Sequence, residues 1–127
     1  EIGNAGCIAL AESLKTNNTL RELDVGNNKI GNAGIIALAE SLKINNTLQK
    51  LWLIGNNIGN AGCIALAESL KTNHAIRKLY LYHNMSVIIL LQKCKANLQT
   101  KALTKIYTNY LPFVLWKFQK QLIILLL

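Results

Sequence analysis

Acidic residues are scarce in this chain and stop early. Six Asp and Glu face fourteen Lys and Arg, for a formal net charge of +8, and no acid follows residue 84. Histidine occurs only at His74 and His83, and cysteine only at Cys7, Cys63 and Cys94, with no C-x-x-C among them. Zinc and dithiol redox chemistry therefore lack their usual ligand spacing. No apolar stretch reaches the roughly 18 to 20 uninterrupted residues of a membrane span. The nearest, residues 112–127, is broken by Lys117, Gln119, Lys120 and Gln121. There is no secretory leader pattern, although the chain lacks an initiator Met. The Gly-rich run Gly55 to Gly62 has no following Lys-Ser/Thr, so it is not a P-loop. No nucleic-acid motif accompanies the positive charge. These absences predict no catalytic residue, no cofactor and no metal site.

What is present is repetition. Ile2, Ile30 and Ile58 open three nearly identical copies spaced 28 residues apart. A fixed period of this length marks a stack of like supersecondary units, and an extended binding surface more readily than an active site. Each copy has two halves. In the first half Gly6, Leu10 and Leu14 are four apart, with Cys7 and Ala9 beside them; Gly34, Leu38, Leu42 and Gly62, Leu66, Leu70 follow suit. That is the stripe of an amphipathic helix. Asn4, Asn32 and Asn60 are its expected N-caps, and Asn17, Asn45 and Asn73 suit a left-handed exit. Glu12, Glu40 and Glu68 recur on the outer side, as surface residues that pair locally.

The second half carries a strand. Leu20, Leu23, Val25, Asn28 and Ile30 spell L-x-x-L-x-L-x-x-N-x-I; Leu48, Leu51, Leu53, Asn56 and Ile58 repeat it; Ile76, Leu79, Leu81 and Asn84 begin it again, and Ser86 breaks it. Alternation puts two apolar side chains on one face of a short strand. The Asn can bond backbone where the chain turns away, and stacked copies would form an asparagine ladder. This grammar, with a 28-residue period, resembles the ribonuclease-inhibitor subfamily of leucine-rich repeats, a repeat type also found in the sensor arm of NOD-like receptors. The resemblance covers Ile2 to Asn84. It implies an α/β solenoid with parallel strands on the concave face and helices on the convex face. Residues 1–84 form three such repeats, and the missing strand before Ile2 suggests a piece of a longer array.

Residues 85–127 do not continue the repeat. They hold six lysines (Lys93, Lys95, Lys101, Lys105, Lys117 and Lys120) and supply most of the net charge. Leu103, Ile106, Tyr107, Tyr110 and Leu111 make an i, i+3, i+4, i+7, i+8 stripe, so a mostly helical basic and apolar tail is expected. It could cap the stack, lie on a membrane surface, or be sequence foreign to the family.

Cys7 and Cys63 occupy the place held by Ile35 in the middle copy, which is a small hydrophobe's role. Two copies apart, they are too distant for a disulfide. With no leader, this predicts a cytoplasmic protein. The sequons at Asn17, Asn45 and Asn84 read as coincidence in an Asn-rich turn.

The copies differ on the strand positions that point away from the core. Stacked, these form three columns: Glu22, Lys50, Lys78; then Asp24, Trp52, Tyr80; then Gly26, Ile54, Tyr82. A constant framework with a varied display is what a binding face requires, and Trp, Tyr and charge match the composition of protein interfaces. The expected partner is a protein, with Lys50 and Lys78 favouring an acidic one. The alternative is a membrane-associated protein acting through its tail. A weaker third class is an enzyme regulator such as a nuclease inhibitor or GTPase activator.

Overall fold

The computed structural model describes residues 1–81 and 83–84. Three helix–strand units follow one another: α1 (Gly3–Thr16) and β1 (Glu22–Asp24), α2 (Asn32–Ile44) and β2 (Lys50–Trp52), α3 (Asn60–Thr72) and β3 (Lys78–Tyr80). The strands form one parallel sheet in the order β1-β2-β3. Leu23 is in register with Leu51, and Leu51 with Leu79. Parallel neighbours need a crossover, and each helix supplies one. α2 packs against both α1 and α3, so the helices make a single layer. Leu51 and Leu79, at the strand centres, are buried in the same cluster as Ile35, Leu38 and Leu66 of the helices. The core therefore lies between one sheet face and the helix layer. Among the described residues, no helix covers the other sheet face.

The inward helix face is Cys7, Ala11 and Leu14 in α1, and Gly34, Ile35, Leu38, Ala39, Ser41 and Leu42 in α2. The buried alanine is thus Ala11 and its equivalents Ala39 and Ala67; Ala9, expected beside the stripe, is exposed. The Gly34 position is closed by its neighbours. A Cβ there would come within 2.7 Å of Ile30 Cγ2 and 2.9 Å of the Cys7 Cβ. Glycine lets α2 lie against both the preceding helix and the strand-to-helix turn.

Two asparagine ladders bind the units. In the expected one, Asn56 Nδ2 donates to the Val25 and Leu53 carbonyls while its Oδ1 accepts from the Asn28 and Ile30 amides. Asn84 repeats the pattern one unit on, through Leu53, Leu81 and Ile58. The second ladder is built where a left-handed exit was expected. Asn17, Asn45 and Asn73 are extended, with φ of −72°, −69° and −79°. Asn45 turns the chain with its side chain instead: Oδ1 accepts from the Thr47 and Leu48 amides, and Nδ2 donates to the Leu14 and Asn17 carbonyls of the preceding unit. Asn73 does the same to Leu42 and Asn45. Asn45 is only 5% exposed, which removes its sequon from any surface role.

The N-caps also differ from expectation. Asn32 and Asn60 are the first residues of their helices, and none of the three described helices has a side-chain cap of its own. The cap comes from the unit before. Asn4 Oδ1 accepts from the Gly31 and Gly34 amides at the start of α2, and Asn32 Oδ1 accepts from Gly59 and Gly62 at the start of α3. Stacking brings residue 32 beside residue 59, and the orphan amides of a helix start take whichever oxygen lies nearest.

The mostly helical tail expected for residues 85–127, and Tyr82 and Cys94 with it, lie outside the described residues.

Candidate protein-binding face

Strand alternation turns Glu22, Asp24, Lys50, Trp52, Lys78 and Tyr80 onto the helix-free face. The register aligns Glu22, Lys50 and Lys78 in one column, and Asp24, Trp52 and Tyr80 in the next. Trp52 and Tyr80 stack with ring centroids 5.0 Å apart and planes within 1°. Both are half-buried, so the pair presents one flat apolar platform. Lys50 Nζ forms an ion pair with Glu22 Oε1, so its charge is matched within the column. Lys78 is exposed, and its partner in register among the described residues is Lys50. Asp24 is exposed, and its Oδ1 accepts from the Gly26 amide. The third column is only partly seen. Ile54 is half-buried and close to Gly26, where an added Cβ would sit 3.3 Å from the Ile54 carbonyl oxygen. Tyr82, its last member, is not among the described residues.

Below this face the chain turns at Asn27, Gly55 and His83, one per unit, with φ of 55°, 64° and 59°. At Gly55 a Cβ would meet Asn27 Oδ1 at 2.1 Å, so glycine there leaves room for the Asn27 side chain as it stands. Several backbone donors of the Gly-rich segments around these turns are already engaged. The Gly59 and Gly62 amides are held by Asn32, and the Asn28 and Ile30 amides by Asn56. A phosphate cradle needs such amides unpartnered.

Cys7 and Cys63 are free and buried. Burial pushes both thiols up from 9.0 to about 11. Cys7 Sγ donates to the Gly34 carbonyl at 3.3 Å. A protonated, enclosed thiol is a poor nucleophile, in keeping with a packing role. His74, expected in a solvent-facing turn, is exposed and lines an open hollow of about 330 Å³ between the ends of α2 and α3, with Ile44, Asn45 and Asn73. Among the described residues, no cluster of three His, Cys, Asp or Glu side chains could hold a metal.

One feature of the opposite surface escaped the sequence reading. Ile8, Ile36 and Ile64 occupy the same position in successive helices and are 40%, 40% and 38% exposed. The signal was present: an isoleucine in all three copies that falls outside the inward stripe. Beside them run the Glu12–Lys15, Glu40–Lys43 and Glu68–Lys71 ion pairs, at 2.6, 2.7 and 2.8 Å.

Residues 16–39 and 45–67 match the leucine-rich-repeat family model. Over these segments the chain is similar to leucine-rich repeats. The repeat fold has a solved counterpart in the structure of leiomodin-1 actin-binding site 2. It is 22% identical, with a TM-score of 0.67 over 74% of this chain. The match spans 58% of that structure's length. No curated protein matches the chain. The leucine-rich repeats thus account for the parallel sheet, the single helix layer and the stacked asparagines.

Proposed function

We propose that the chain is a non-enzymatic protein–protein interaction module that binds through the helix-free face of its sheet. The observation that carries this is the parallel Trp52–Tyr80 stack. Two large rings held side by side on a rigid sheet offer contact area with little conformational entropy left to lose, which is what interface anchors do. The solved counterpart supports a protein ligand in general terms, since its name describes a binding site for actin. Lys78 favours an acidic group on the partner. The finer assignment is to a ribonuclease-inhibitor-like repeat within a longer solenoid, concave on this face, as in NOD-like receptors, working in the cytoplasm. The 28-residue period and the reduced, buried cysteines support it.

The test is capture from cell lysate with Trp52→Ala combined with Tyr80→Ala. Capture should be abolished while helical and strand content, read by circular dichroism, is retained. A second reading has membrane association through residues 85–127. It is favoured by their six lysines and absence of acid, and by the attraction such a segment has for anionic lipid. In that case the double variant still sediments with anionic liposomes, and removal of residues 99–127 ends the association.

A further inference from the structure

Asp24 is the odd member of the second column. It is in register with Trp52, and Trp52 with Tyr80, so an acid holds on β1 the place that a ring holds on β2 and on β3. The ring centroids are 5.0 Å apart with parallel planes, and neighbouring strands lie about 4.8 Å apart. The stack therefore runs from strand to strand. Tyr80 covers one face of the Trp52 indole, and the other face turns toward β1. There the column drops, because Asp24 is short and Gly26, two residues on, has no side chain. Asp24 is exposed, and the bond from the Gly26 amide engages only its Oδ1. Among the described residues no cation pairs with it. Lys50 is held by Glu22, Lys29 by Glu1, and Arg21 donates to the Thr47 carbonyl at 3.2 Å.

We propose that this corner binds an arginine side chain of a partner protein. The guanidinium lies on the open face of Trp52, as Tyr80 lies on the opposite one, and donates to the Asp24 carboxylate. The proposal rests on the binding-face reading above and adds to it the group by which the partner is anchored. The space over Asp24 is one strand spacing from the indole, close to the separation of the two stacked rings, and so suits a flat group. An indole face is the best aromatic surface for a cation. The carboxylate adds an acceptor and the opposite charge at the same place. A guanidinium is flat, always charged and rich in donors, so it meets all three conditions. An ammonium meets the charge without the stack. A neutral ring meets the stack and leaves the carboxylate unmatched. Lys78 stands in the other column on β3, two strands and one side-chain step away. That is roughly 12 Å, beyond the screening length of about 8 Å at physiological salt, so its charge is largely screened from this corner.

The test titrates N-acetylarginine amide into the full chain at constant ionic strength. Binding is followed by NMR at the Trp52 indole N–H, which a Trp52→Phe spectrum distinguishes from that of Trp116. N-acetyllysine amide and the neutral, isosteric N-acetylcitrulline amide are titrated alongside. Arginine should move the Trp52 resonance along a saturating curve and bind about five-fold more tightly than citrulline, the ratio that one exposed charge pair gives, with lysine between them. Asp24→Asn keeps an oxygen for the Gly26 amide and should erase the preference for arginine over citrulline. Asp24→Tyr fills the space with a ring of the chain's own and should abolish the arginine shift, while circular dichroism shows both variants folded. Equal binding of arginine and citrulline, tighter binding of lysine than of arginine, an unchanged arginine preference in Asp24→Asn, or no movement of the Trp52 resonance overturns the proposal. Any of these leaves the binding-face reading standing if Trp52→Ala with Tyr80→Ala still loses lysate capture. If that double variant captures normally, both fall.

Discussion

Ile2 to Asn17 and Ile58 to Asn73 are the same sixteen residues, yet they live in different surroundings. Cys7, Ala11 and Leu14 are as buried as Cys63, Ala67 and Leu70. Leu66 and Ser69 are fully buried and Asn73 is 4% exposed, whereas Leu10 is half-buried and Ser13 and Asn17 are exposed. Gly3 has φ of 61°, while Gly59 has φ of −99°. The difference falls on one side of the unit. Leu66, Ser69 and Asn73 face back toward α2 and β2, and in the first copy the described residues include no preceding unit to face. Identical sequence therefore gives helices that differ only at their first residue and the same inward face, while the environment of the backward-facing residues is set by the neighbour. In a stacked protein, part of each core belongs to the interface between units.

The largest effect should separate Leu51 from Leu23. Leu51 is fully buried in the middle strand and Leu23 is half-buried in the first. Leu51→Ala should cost about 2–5 kcal/mol in urea denaturation through lost burial and a cavity, and Leu23→Ala about half as much. Equal losses would mean that the first strand is covered as fully as the second.

Next comes the second ladder. Asn45→Ala strands the buried Leu14 carbonyl and the part-buried Asn17 carbonyl and should cost about 2–3 kcal/mol. Asn17→Ala removes only the exposed turn bonds to Thr19 and Leu20 and should cost about 1 kcal/mol or less. Indistinguishable midpoints for the two would break the comparison.

The cysteines sharpen it from the other side. Cys7 and Cys63 are enclosed alike, so both thiols should resist labelling at pH 8 in the native state and react together on unfolding. Their native pKa of about 11 lies above the unfolded 9.0. The unfolded chain therefore gives up these protons first as pH rises. Their contribution is intact below pH 9 and is lost between pH 9 and 11. Replacing both by Ala should flatten that part of the stability curve, as read by urea midpoints across the range.

The smallest effects should be on the outer helix surface. Glu12→Ala, Glu40→Ala and Glu68→Ala each remove one exposed ion pair, and each should shift stability by less than about 0.5 kcal/mol whichever copy it is in.

Much of this was legible from period alone. The 28-residue spacing determines the parallel register, the ladder at Asn28, Asn56 and Asn84, and the two aligned columns that bring Trp52 to Tyr80. Reading one copy at a time failed wherever a residue acts on the next unit. Asn32 looks like the cap of its own helix because sequence proximity is the only proximity a sequence displays; its true partners are 27 and 30 residues away. Asn45 looks like a left-handed exit because asparagine tolerates that conformation, but its side chain is better satisfied by buried carbonyls. The Lys50–Glu22 pair depends on side-chain reach across neighbouring strands, and it halves the positive charge that the column appears to offer.

The caps lent from unit to unit give the stack a direction. Loosening α1 withdraws Asn4 and leaves the first amides of α2 unsatisfied; loosening α2 withdraws Asn32 and does the same to α3. The reverse does not hold for these bonds, since melting α3 frees the Asn32 side chain but leaves the start of α2 held by Asn4. Through these caps a disturbance at low residue numbers is handed forward, whereas the asparagine ladders run the other way, Asn45 and Asn56 holding backbone groups of the unit before. Amide exchange followed in time should show this as a front: Gly31 and Gly34 lose protection before Gly59 and Gly62, and Asn4→Ala advances the first pair more than the second.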